Sequence, residues 1–333
     1  LTGSHVTSTK PVAVFAGQQR ATVPVELADN LLSRDCLIEQ VPPVGTWGKN
    51  AFLTPYPLPA GAVKIGQDMY RILAAYDSTQ VFIDGNFIGS YLNAGGVYSG
   101  ELLKGQTVTA NKPILVAHYK KTASDNANPG GASQLSDPFM LIIPPKEQFL
   151  KSYRCYNVQA YDNRNPGGVY VEQYITVVAP TTALSTVKLD GKPVNVGKFV
   201  PIPPSNEYSY AWLGGANGAD GVTDGAHTIS ADEPIGIYIY GYGEANSYGY
   251  VGGTGYRVFD FNPPNIIAAD ECFGIKGTVF DTLTGDTHIK EVTVPADSMK
   301  NTTATIAAFS PVAPSVTFSA RLKDIYNDGS FTI

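Results

Sequence analysis

Three stretches of this chain repeat one pattern, and each is followed about thirty residues later by the same dipeptide. Residues 6–14 read VTSTKPVAV, 108–116 read VTANKPILV and 229–237 read ISADEPIGI. Pro42-Pro43 begins 31 residues after Pro11, Pro144-Pro145 begins 31 after Pro113, and Pro263-Pro264 begins 29 after Pro234. A short turn motif recurs by chance. A motif that keeps a partner at a fixed distance marks a duplicated unit. A second pair of segments agrees: Tyr70 opens YRILAA and Tyr174 opens YITVVA 104 residues later, and each leads to an Asp-Gly pair, Asp84-Gly85 and Asp190-Gly191. Asp-Gly between apolar runs signals a two-residue β-hairpin. The unit is thus about a hundred residues, the size of a β-sandwich domain.

The composition fits many short strands and tight turns. The chain of 333 residues holds 34 Gly, 24 Pro and 20 Tyr. No long segment shows helical periodicity with caps. The expected fold is all-β: tandem antiparallel β-sandwich-like domains built from the duplicated unit. The expected division is 1–41, an N-terminal strand and connection from late in a unit; 42–143, a first complete unit; 144–262, a second; and 263–333, a C-terminal β domain or divergent partial unit. Because the chain opens late in one unit and closes early in another, its end strands are expected to find partners. The N-terminal strand would fold back on 263–333, add to a neighbouring chain, or continue a longer natural chain. Val12, Val14 and Phe15 are the candidate assembly residues. Leu1 is not an initiator Met, so a processed or partial product is expected.

Several functions lose support at this level. The formal net charge of −6 disfavours the phosphate backbone of nucleic acid. No apolar run approaches a membrane span. Cys36, Cys155 and Cys272 form no CxxC, so buried free thiols are expected over metal binding, with at most one disulfide. His5, His118, His227 and His288 fall into no paired metal spacing, and neither a GxSxG elbow nor a P-loop is present. No enzyme, metal or cofactor is expected. Residues 125–131 (DNANPGG) and 162–168 (DNRNPGG) share a loop pattern. An Asx-type turn explains it better than calcium, since each loop supplies one carboxylate.

The remaining feature is aromatic. Residues 208–256 hold eight tyrosines. In the run Ile237-Tyr238-Ile239-Tyr240-Gly241-Tyr242, a period of two puts Tyr238, Tyr240 and Tyr242 on one strand face and the isoleucines on the other. Tyr238, Tyr240, Tyr242, Tyr248 and Tyr250 are the candidate ligand-binding residues, an aromatic face able to stack on sugars or anchor a protein. Cross-strand packing inside a sheet is the alternative. Trp47 and Trp212 are expected in a core or domain contact.

Five segments resemble the N-terminal domain of the IgGFc-binding protein family: 1–17 (LTGSHVTSTKPVAVFAG), 37–49 (LIEQVPPVGTWGK), 70–75 (YRILAA), 137–149 (DPFMLIIPPKEQF) and 247–250 (SYGY). The resemblance spans roughly residues 1–262. It implies a secreted or surface-attached protein without a catalytic mechanism, and it supplies no defined binding residues. Residues 277–281 (GTVFD) and 327–331 (NDGSF) are similar to a small carboxypeptidase-regulatory-type sandwich, or belong to a third divergent unit. The expected function is adhesion or binding at an extracellular or cell-surface location, with a protein or glycan on another surface as partner. The rival is a structural subunit of an extracellular filament or sheath, self-associated by β-strand addition. An enzyme ranks third.

Overall fold

The computed structural model describes residues 2–24, 34–59, 68–121, 135–163, 165–259, 264–281, 289, 291–309 and 313–333. The chain is all-β, with short 3-10 turns between antiparallel strands. It divides into two compact units, one of residues 1–43 with 47–257 and one of 44–46 with 258–333.

The larger unit opens with a two-stranded ribbon, β1 (Val14–Ala21) and β2 (Asp35–Val41). Its first β set follows: β3 (Gly48–Leu53), β4 (Asp68–Ala74), β5 (Val81–Ile83), β6 (Asn86–Phe87), β7 (Val97–Leu102), β8 (Gln106–Tyr119) and β9 (Met140–Ile143). The second set is β10 (Leu150–Asn157), β11 (Tyr170–Pro180), β12 (Lys188–Leu189), β13 (Lys192–Pro193), β14 (Val200–Pro201), β15 (Tyr208–Ala216), β16 (Gly225–Gly243) and β17 (Asn246–Val251). The two sets share a topology built on one long strand. The first half of β8 pairs with β3 and β5, and its second half with β4 and β9. The first half of β16 pairs with β10 and β12, and its second half with β11 and β17.

The repeated prolines sit where each long strand changes partners. Pro113 and Pro234 lie inside β8 and β16, not at strand starts. The reason is the register. The β3–β8 ladder slips between Gly48 and Asn50, and the β10–β16 ladder between Leu150 and Ser152. A proline donates no ladder hydrogen bond and is tolerated at such an irregularity. The Asp-Gly hairpins form as expected. Asp84 and Gly85 have φ of 50° and 79°, and Asp190 and Gly191 of 48° and 77°, the doubly positive geometry that fits a two-residue loop to twisted strands. Both aspartates also tie the hairpin to the long strand: Thr107 N–H donates to Asp84 Oδ1 at 2.9 Å, and Thr228 N–H to Asp190 Oδ1 at 2.7 Å.

One core fills the second sandwich, with Ile175, Val177, Leu213, Ile229, Ile237 and Ile239 among its members. Another runs continuously through both sets, from Leu53, Ile72 and Val116 of the first to Tyr174, Tyr210 and Tyr240 of the second. The β1–β2 ribbon is rooted by Leu37 and Val23 against Met140. The N-terminal strand therefore pairs antiparallel with β2. Val12 precedes β1, Val14 begins it, and Phe15 lies 63% exposed on its outer face.

The smaller unit is a four-stranded antiparallel sheet: β18 (Asn265–Glu271), β19 (Gly274–Phe280), β20 (Thr302–Ile306) and β21 (Ser315–Leu322), in the order β18-β19-β21-β20. Val279, Ile289, Val316 and Phe318 form its core.

Candidate functional site

The tyrosine stripe is buried. Tyr238, Tyr240 and Tyr242 share one face of β16 as the period of two requires, but each is 0% exposed. Their rings fill the core common to both β sets. Tyr240 meets Tyr56 edge-on at 5.1 Å, and its hydroxyl bonds the Thr176 hydroxyl at 2.7 Å. The Tyr238 and Tyr242 hydroxyls donate to the carbonyls of Phe52 (3.2 Å) and Pro57 (3.1 Å). These hydroxyls satisfy in the core the polar end that a buried tyrosine carries. Tyr238, Tyr240 and Tyr242 are thus packing residues, which corrects their expected place on a binding face. The isoleucines opposite are buried too, because both faces of this sheet are covered.

Tyr248 and Tyr250 lie elsewhere. They alternate on β17 and half-bury against the second sandwich core, closing the seam between β17 and β10. The Tyr248 hydroxyl accepts from Val158 N–H at 2.9 Å and donates to Gln173 Oε1 at 2.6 Å. The Tyr250 hydroxyl accepts from Tyr156 N–H and donates to Tyr156 O, each at 2.7 Å. Tyr170 packs edge-on against Tyr248 at 4.7 Å. Gly249 has no side chain because Phe139 occupies that space.

The seam presents two tyrosines to solvent that pattern reading passed over. Tyr156 is 48% exposed and Tyr161 55%. Along β10, Tyr153, Cys155 and Asn157 turn inward, so Tyr156 turns outward. A chain of hydrogen bonds fixes both rings: Tyr156 Oη to Gln159 Oε1 at 3.4 Å, Gln159 Nε2 to Tyr161 Oη at 2.7 Å, and Tyr161 Oη to Asp224 Oδ2 at 3.1 Å. The available signal was the alternation Tyr153-Arg154-Cys155-Tyr156, masked by the denser tyrosines downstream.

A buried charged cluster lies on the first β set. Asp68 Oδ1 stands 3.9 Å from Lys120 Nζ. Burial raises the Asp68 carboxyl and lowers the Lys120 amine, while their attraction opposes both shifts. Nearby His118 is pushed down to about 3 by burial and stacks on Tyr56 at 4.3 Å.

The other candidates resolve simply. Cys36, Cys155 and Cys272 are free thiols, but only Cys155 is buried as expected; Cys36 and Cys272 are exposed. Burial pushes Cys155 up to about 12, which leaves it unreactive. In the loop at 162–168, Asp162 Oδ1 accepts from Asn165 N–H, three residues on, at 2.7 Å, so the aspartate closes a local turn. The loop at 125–131 and His288 lie outside the described residues. Among the described residues, no group of three or more His, Cys, Asp or Glu is placed to hold a metal, and no helix is long and apolar enough to cross a membrane. The Trp47 indole donates to Pro42 O at 2.9 Å from a buried position, and the Trp212 indole, 36% exposed, to Pro55 O at 2.9 Å.

The fold and this surface define a duplicated β-sandwich protein whose two copies share a tyrosine-rich core and leave a hydrogen-bonded aromatic seam in solvent. The chain belongs to the IgGFc binding protein family, whose model matches residues 1–241. It is similar to the human IgGFc-binding protein, 27% identical over 251 residues, covering 74% of this chain and 4% of that protein. The chain thus spans a small part of that relative's length. Among solved structures, an anti-sigma factor domain-containing protein from Clostridium clariflavum aligns at 10% identity over 61% of this chain and 81% of that chain, with a TM-score of 0.16, too low to support any structural argument.

Proposed function

We propose that this chain is an extracellular binding module that recognises a protein partner through the β10–β17 seam. The observation that carries the reading is the pairing of exposed Tyr156 and Tyr161 with rigid support beneath them. Tyrosine anchors bind well when their rings are held before the partner arrives, because less side-chain entropy is lost on association. Tyr248 and Tyr250 act in this scheme as buttresses, with Tyr170 beside them. The family and the name of the human relative favour the immunoglobulin Fc fragment as the first partner to test. Immobilised Fc titrated with the chain tests the proposal. Tyr156→Ala and Tyr161→Ala should each weaken binding by about 1–3 kcal/mol, the range of interface anchors, while Tyr240→Phe should leave affinity unchanged. Equal losses in all three variants would reduce the effect to stability. Full affinity without Tyr156 and Tyr161 would overturn the seam as the site.

A filament subunit is the second reading. It is supported by the outer face of the β1–β2 ribbon, where Phe15 and Ile38 are each 63% exposed next to Val12. Electron micrographs of the native protein separate the two: fibres that vanish when residues 1–17 are deleted favour the filament, and discrete particles favour the module.

A further inference from the structure

β4 and β8 are antiparallel neighbours with Met69 opposite Tyr119, so Asp68 and Lys120 face each other one step beyond. The Asp68 and Lys120 side chains are only 8% and 2% exposed. An ion pair in such a place carries a desolvation penalty that its attraction scarcely offsets. Burial acts on both partners in the same sense, toward a carboxylic acid beside a neutral amine. Those are the forms that condense to an amide. The site also holds the acid as an acyl donor. Tyr56 N–H donates to Asp68 Oδ2 at 2.9 Å and Lys121 N–H to Oδ1 at 3.1 Å, one fixed donor on each oxygen, so the oxygen retained as the oxyanion of a tetrahedral intermediate keeps a donor while the other leaves. The amine is held as well. Lys120 Nζ donates to Lys121 O at 3.2 Å and lies 5.9 Å from the centre of the Tyr242 ring. Asp137, 4% exposed, is a second carboxylate close enough to act on the Lys120 charge.

We propose that Lys120 and Asp68 condense spontaneously into an intramolecular isopeptide bond that clamps β4 to β8. The Lys120 Nζ lone pair attacks Asp68 Cγ, forming the C–N bond. A proton leaves Nζ through the Asp137 carboxylate and is delivered to the departing Asp68 hydroxyl. The C–O bond breaks and one water is released. The reaction needs no oxidant, cofactor or activated co-substrate, and the fold supplies the proximity that drives it. The second β set serves as an internal comparison. The offset that relates Tyr70 to Tyr174 relates Asp68 to Glu172, and Glu172 stands opposite Tyr242, which carries no amine. The bond is therefore confined to the first set.

Mass spectrometry of the full chain under denaturing conditions tests this. The protein should weigh one water less than its sequence. Trypsin should release residues 65–71 joined to residues 105–121, with Lys120 uncleaved. Asp68→Asn should form the same amide with loss of ammonia, so variant and wild type should converge on one mass although their sequences differ. Lys120→Arg should keep its full sequence mass. A wild-type chain at its full sequence mass, with 65–71 recovered as a free peptide, overturns the proposal whatever the variants do. So does a loss of water that maps to any other pair.

Discussion

Tyr240 illustrates how much a single position owes to its covering. Its ring stacks on Tyr174 at 5.4 Å and on Phe139 at 5.9 Å, and its hydroxyl is bonded to Thr176. Removing the ring should open a cavity in the core shared by both β sets, so Tyr240→Ala should lower the free energy of unfolding by about 3–5 kcal/mol. Tyr240→Phe removes one hydrogen bond and should cost about 1–3 kcal/mol, because the Thr176 hydroxyl is left behind. Urea unfolding curves measure both, and a loss under about 1 kcal/mol for the alanine variant would mean that the ring is not enclosed. The alternation of Tyr238, Tyr240 and Tyr242 was legible in the sequence. What lay over them was not. A period of two says which residues share a face, and the identity of the covering face depends on how the second copy packs against the first.

At the scale of elements, the hairpins and the long strands were legible because their signals are local. Asp84-Gly85 and Asp190-Gly191 demand positive φ wherever they fall. The position of Pro113 and Pro234 was harder to read. Their partners, β3 and β10, are distant in sequence, and only the ladder slip explains a proline inside a strand. The β1–β2 ribbon was missed for the same reason: β2 was read as a connection. Its attachment should respond to pH. Burial raises Glu39 from 4.5 to about 7, against the opposing hydrogen bond from Ile142 N–H. Between those values the folded chain holds a proton that the unfolded chain has lost, so stability should fall as pH rises across that window. The contribution is complete below 4.5 and gone above about 7. Glu39→Gln, which stays neutral, should flatten this part of the unfolding profile. A profile that keeps the same slope in the variant would assign the dependence to another group.

At the scale of the molecule, duplication does two things. It stacks two β sets on a common tyrosine-rich core, and it leaves Tyr156 and Tyr161 exposed at the β10–β17 seam. Buried Tyr238, Tyr240 and Tyr242 hold the copies together, whereas Tyr156 and Tyr161 face solvent. Tyrosine-directed labelling of the native protein, read peptide by peptide by mass spectrometry with and without Fc, tests that division directly. Tyr156 and Tyr161 should label quickly and become protected when Fc is added, while Tyr238, Tyr240 and Tyr242 should label only after denaturation. Labelling of Tyr238, Tyr240 and Tyr242 in the native protein, with Fc protecting them instead of Tyr156 and Tyr161, would contradict it.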